Sequence, residues 1–174
     1  MTMIKARIAR VVAVLLGLPI VYAGCVAQNP VEIQTNFDES EHKPYMQLGG
    51  NGVKGQAFLS QQGGNILSCA GGDVLIVPAT SFFREMISHV RAGNMPLIIE
   101  KIPPSFRSII KTTYCDAQGN FSTGELPSGK WFVWANVQWI GRFGGQVGDL
   151  VREVTLSNNE TVQVLLTDKD FVHR

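Results

Sequence analysis

The stretch TTYCDAQGNFSTGELPSGKWFVWANVQW, Thr112 to Trp139, packs an acid, an amide, a lysine and a cysteine into one short polar cluster. That density suits either a reaction site or the turns of a β-hairpin, and the choice decides the fold. DAQGN has the residues a tight turn demands. Asp116 can accept from the backbone two residues on, Gly119 supplies positive φ, and Asn120 tolerates the left-handed region. In LPSGK, Pro127 sets φ and Gly129 completes a second turn. FSTGEL between them is long enough for one short strand. Asp116, Asn120, Glu125 and Lys130 are therefore read as polar because turns and outward faces are solvated.

Past the second turn, GKWFVWANVQWI (Gly129 to Ile140) alternates with period two. Trp131, Val133, Ala135, Val137 and Trp139 form one wholly apolar side, read as the core face. Phe132, Trp134, Asn136 and Gln138 form the other. Phe132 and Trp134 either sit beneath a neighbouring segment or make an exposed contact surface. Similar runs at Val53–Ser60, Asp73–Ala79, Phe106–Cys115, Leu150–Ser157 and Thr161–Thr167 are separated by turn signals. Short strands at short intervals predict an all-β sandwich and not a βαβ arrangement. One segment breaks the pattern. SFFREMISHVRAG repeats apolar groups at helical spacing through Phe82, Phe83, Met86, Ile87 and Val90, with Ser81 placed to cap it and Gly93-Asn94 to end it.

The first two dozen residues read as an address. Lys5, Arg7 and Arg10 precede an apolar run, Val11 to Gly24, too short to span a bilayer comfortably. YAGC (Tyr22 to Cys25) resembles a bacterial lipobox, although Tyr22 departs from the usual aliphatic residue; Val21 and Ala23 also suit ordinary cleavage after Ala23. Cysteine arithmetic favours a lipid on Cys25, since three cysteines leave one odd and Cys69 can then pair with Cys115. With the signal (1–24) removed, Lys+Arg falls from 15 to 12 against 14 acids, a net charge of about −2. That argues against a nucleic-acid binder, which needs a basic surface to displace counterions. Residues 25–52, with the charged run FDESEHK and a Gly-Gly-Asn-Gly cluster, read as an extended tether. Residues 53–168 read as the domain and 169–174 as a C-terminal tail.

The pattern DAQGNFSTGELPSGKWFV resembles the carboxypeptidase regulatory-like domain, also called prealbumin-like or transthyretin-like. There an Asp-x-x-Gly-x-Phe turn and a Leu-Pro-x-Gly-x-aromatic turn flank a short strand. VKGQAFL…GGDVLIVPAT resembles the family's opening strands and REVTLSNNETVQVLLT its closing pair, so the likeness spans about Val53 to Asp168. It implies a seven-stranded Greek-key β-sandwich, here with one short helical insertion near Ser81 to Ser105. It also implies a structural or binding module with no catalytic centre, no cofactor and no peptidase activity. In the family's strand order Cys69 lies before the second strand and Cys115 at the end of the third, which suits a bridge in an oxidising compartment; two independent buried thiols are the alternative.

Chemistry-bearing patterns are scarce. His42, His89 and His173 lack metal-ligand spacing and read as solvated surface residues, so no metal site is expected. There is no Gly-x-Ser-x-Gly elbow, and GGNGVKGQ lacks the Gly-Lys-Ser/Thr of a phosphate loop and reads as a hinge. The expectation is a non-enzymatic, lipid-anchored envelope module, in the outer membrane and facing the periplasm or surface. It would bind a protein or glycan partner, or serve in structural assembly, with the membrane reached through Cys25. An alternative is a carrier for a small apolar or aromatic ligand lined by Trp131, Trp134 and Trp139; a hydrolase is a distant third.

Overall fold

Alternating apolar side chains become strands throughout the computed structural model, which describes residues 30–61, 63–141 and 144–172. The chain runs β1 (Pro30–Glu32), α1 (Glu39–His42), a 3-10 turn (Lys43–Met46), β2 (Asn51–Ser60), β3 (Ile66–Ser68), β4 (Asp73–Pro78), α2 (Ser81–Arg91) and β5 (Met95–Leu97). Two further 3-10 turns lead to β6 (Lys111–Tyr114), β7 (Asn120–Leu126), β8 (Gly129–Gly141), β9 (Gly144–Leu156), β10 (Thr161–Leu166) and β11 (Phe171–Val172). One sheet is centred on β2, with β10 parallel on one side and β7, then β3, antiparallel on the other. The second has the order β11-β9-β8-β4-β6. Among the described residues, seven strands of four residues or more (β2, β4, β6, β7, β8, β9, β10) build the two layers, which is the expected all-β sandwich.

The period-two reading of β8 sets the core. Trp131, Val133, Ala135 and Val137 are fully buried, facing Val53 and Ala57 of β2, Phe121 and Leu126 of β7, and Val164 and Leu166 of β10. Cys69 and Cys115 join at this core's rim as a disulfide, with a Cα–Cα distance of 5.8 Å. The glycines read as a hinge lie partly inside β2, where Gly55 is needed for close packing. A Cβ there would stand within 3.0 Å of the Val164 backbone and the Phe121 ring.

A second core forms on the outer face of the β8 sheet. The apolar side of α2 (Phe82, Phe83, Met86, Ile87, Val90) lies over Val77, Phe132, Val151 and Val172. The helix ends as expected, with Gly93 at φ 77 and the Gly93 and Asn94 N–H groups donating to the Val90 and His89 carbonyls. Its start differs. Thr80 occupies the N-cap without a side-chain cap, and Ser81 donates through both N–H and Oγ to the Glu41 carboxylate, at 2.8 and 2.6 Å.

Glu41 belongs to the segment read as a tether, and from residue 30 on that reading is corrected. β1 pairs in parallel with β5. Ile33 is fully buried, and the Phe37 ring stacks on His42 at 3.8 Å while meeting Phe82 and Phe106 edge-on. His42 is buried and not solvated; its Nδ1 lies 2.6 Å from the Asp38 carbonyl and its Nε2 2.9 Å from Thr80 Oγ1. A few well-spaced aromatic and aliphatic groups thus offset the ordering entropy of a polar stretch. The tail is likewise folded through 172. Arg152 donates two hydrogen bonds to the Asp170 carboxylate at 2.7 and 2.6 Å, and Val172 enters the second core. Phe106–Cys115 is strand only over Lys111–Tyr114, because Pro104–Ile109 winds into a 3-10 turn that buries Phe106 and Ile109. Residues 1–24, Cys25 and His173 lie outside the described residues.

Candidate functional site

The outer face of β8 carries Phe132, Trp134, Asn136 and Gln138 in sequence, and α2 divides it. Phe132 is buried beneath the helix, with the Arg84 guanidinium 5.5 Å from its ring centroid, so it is no part of an exposed contact surface. Arg84 also donates to both Glu153 carboxylate oxygens at 2.7 and 2.9 Å, which fastens the helix to β9. Its pKa rises and that of Glu153 falls, each chiefly through this hydrogen-bonded pairing.

Trp134 stands where the helical cover ends. Its ring is half-buried against the second core, yet it lines an open groove of about 300 Å³ together with Leu75, Asn136 and Gln138. Strand register places Leu75 and Val151 beside Trp134, Asp149 beside Asn136, and Val147 beside Gln138. Asp73, two residues before Leu75, forms the opposite wall. Gln138 Nε2 donates to Asn136 Oδ1 at 3.0 Å, and Asn136 Nδ2 donates to Asp149 Oδ1 at 3.0 Å. This relay fixes the plane of the Asn136 amide through both its ends. Asp149 itself is fully buried at the groove floor. An apolar ring beside oriented amides and carboxyl groups suits a ligand with one apolar face and a rim of hydroxyl groups.

The polar residues of the opening stretch do not converge. Asp116 and Asn120 close the turn at the start of β7, while Glu125 sits near its far end and Lys130 beyond it, roughly 20 Å away for a seven-residue strand. Asn120 hydrogen-bonds hold the Asp116 carboxyl below its ordinary range. Gly119 (φ 80) and Gly129 (φ 149) take the positive φ that the turns need, and Trp131 Nε1 donates to the Pro127 carbonyl at 3.2 Å. Lys130 Nζ faces Glu153 at 4.0 Å. The three tryptophans are also separated. Trp131 is sealed between the sheets, Trp139 borders an apolar recess near Leu59 and Phe171, and Trp134 lies on the opposite face, so they line no common pocket. Among the described residues, no three of histidine, cysteine, aspartate and glutamate are grouped to hold a metal ion, and no helix is long and apolar enough to cross a membrane.

Sequence pattern alone does not mark Asp73 or Asp149 as site residues. The available signal was Asp149 in VGDLVREV, an acid in phase with Val147 and Val151 on one face of a strand.

No protein-family model matches the chain, and no curated protein matches it. Among solved structures, it is similar to a Pseudomonas aeruginosa protein for which carbohydrate binding has been proposed. The TM-score is 0.63 at 21% identity, over 76% of this chain and 98% of that one. The major pilin subunit of Bacillus cereus aligns with a TM-score of 0.38 at 12% identity, over 67% of this chain and 29% of the pilin. A DUF3823 family protein from Parabacteroides merdae aligns with a TM-score of 0.35 at 14% identity, over 71% and 46% of the two chains. The likeness to the Pseudomonas protein shows a shared β-sandwich fold.

Proposed function

We propose that this chain is a non-enzymatic binding module of the bacterial cell envelope, anchored by a lipid on Cys25, and that its ligand is a glycan held in the groove around Trp134. The observation that carries the reading is the alignment of Trp134 with the Gln138–Asn136–Asp149 relay on one uncovered sheet face. Sugar rings offer a C–H face to an indole and vicinal hydroxyls to paired amide and carboxyl groups. The proposed carbohydrate binding of the structurally similar Pseudomonas protein supports the same reading, as does the resemblance to regulatory-like domains. The carrier alternative loses its basis in a tryptophan-lined pocket, since Trp131 is fully buried.

Intrinsic tryptophan fluorescence and a glycan array test the binding half. Trp134→Ala should weaken binding of any array hit at least about tenfold, whereas Trp134→Phe should retain most of it. Unchanged affinity in Trp134→Ala would remove the groove from consideration. Globomycin-sensitive processing with acyl label on Cys25 tests the anchor; a mature chain beginning at Gly24 would count against it.

A further inference from the structure

We infer that the groove selects uncharged or amine-bearing glycans, rejects acidic ones, and continues to Tyr114 as a second aromatic contact. This rests on the glycan reading above and names the ligand class of the same site. Asp73 is exposed on one wall of the groove, Asp149 is buried beneath its floor, and the other described lining residues are apolar or amide-bearing. Among the described residues, no lysine, arginine or histidine lines the groove. Recognition of a uronate, sulfate or phosphate needs a cationic partner, and arginine in particular supplies the matching fork. Here an anionic sugar would instead meet a like charge in a concavity, where bulk water screens it less. Carboxyl and amide oxygens favour hydroxyl and ammonium donors.

Tyr114 extends the surface. It pairs in register with Asp73, so the two side chains share the outer face, and it is 65% exposed. Its strand, β6, is the sheet edge, separated from β8 by β4 alone. That spacing puts the Tyr114 ring roughly 10 Å across the sheet from the Trp134 strand. A glycan lying across the strands would reach both rings; a single sugar on Trp134 would not.

The test uses calorimetry on the folded protein. Probes are neutral gluco-, galacto- and manno-configured tetrasaccharides, their monosaccharides, and uronic-acid tetrasaccharides of matched linkage. Neutral tetrasaccharides should bind at least about tenfold tighter than their uronic counterparts, with Asp73→Asn closing most of that gap by tightening the uronic probes. Tyr114→Ala should weaken tetrasaccharides by about tenfold while sparing monosaccharides. Near-ultraviolet circular dichroism establishes that each variant is folded. Equal or tighter binding of uronic probes, or an unchanged gap in Asp73→Asn, would overturn the charge selection with the glycan reading intact. Unchanged tetrasaccharide affinity in Tyr114→Ala would overturn the second contact. Failure of every probe would overturn the glycan reading and this inference with it.

Discussion

Asp116 Oδ1 accepts from the Gln118 and Asn120 N–H groups at 2.9 and 2.8 Å, and the Asn120 side-chain amide reaches both carboxylate oxygens. The turn they close leaves Gly119 at φ 80, where an added Cβ would sit 2.9 Å from the Ala57 carbonyl oxygen. Gly119→Ala should therefore cost about 1–3 kcal/mol from combined backbone strain and contact. The denaturant midpoint should fall with an unchanged slope; a variant as stable as the parent would show that the turn can relax. Glu85, at the edge of the second core, makes a comparable case. Its carboxylate accepts from the Gln34 and Thr35 N–H groups, both at 2.7 Å. Hydrogen bonds from Thr35, then Gln34, lower its pKa from 4.5 to about 2. A depressed carboxyl stabilises the fold above its unfolded pKa and loses that contribution as pH falls through the folded one. The stability gap between parent and Glu85→Gln should thus be full above pH 4.5 and shrink between pH 4.5 and about 2. A gap that stays constant across that window in urea titrations would refute the assignment.

The elements differ in how openly their residues announce them. β7, β8 and their turns are legible because alternation and turn chemistry are local, so Asp116, Gly119 and the Trp131–Val137 face lie where neighbouring residues dictate. The body and end of α2 are legible for the same reason. Its start is not, because the capping carboxylate, Glu41, is 40 residues away from Ser81. β3, β5 and β11 are two or three residues long, too short for any period to show. The groove was half visible. Asn136 and Gln138 fall on the outer face of β8 by alternation, but only pairing with β9 and β4 brings Asp149 and Asp73 beside them. Long-range order also enters through the disulfide, which ties the loop before β4 to the end of β6 across 46 residues. Replacing Cys69 and Cys115 together with serine should cost roughly 4 kcal/mol in the chain-entropy picture. A matching fall in the parent's denaturant midpoint under reductant would tie that loss to the bond itself; equal midpoints with and without reductant would contradict it.

At the scale of the molecule, one sheet serves two cores, and the segment 30–48 closes the outer one. Tyr45 meets Trp131 edge-on at 5.0 Å and packs against both cores, and Lys101 Nζ donates to the Ile33 carbonyl and pairs with Glu32 at 3.0 Å. Its first described residue, Pro30, is five positions beyond Cys25. A lipid at Cys25 would then hold the fold within about 18 Å of the bilayer, the reach of five extended residues. A long spacer would set no such limit. The strap's contribution to folding can be measured directly by comparing a chain starting at residue 30 with one starting at residue 49. Loss of Ile33 and Phe37 alone removes contacts of the kind that cost about 2–5 kcal/mol each. A domain has only about 5–15 kcal/mol in total. The shorter chain should therefore melt at a much lower temperature, bind a hydrophobic dye over the uncovered Phe82, Phe106 and Ile109, and lose cooperativity. Were it to melt at the parental temperature without binding dye, the strap would be an ornament on a sandwich that stands alone, and Glu41 and His42 would have no part in holding α2.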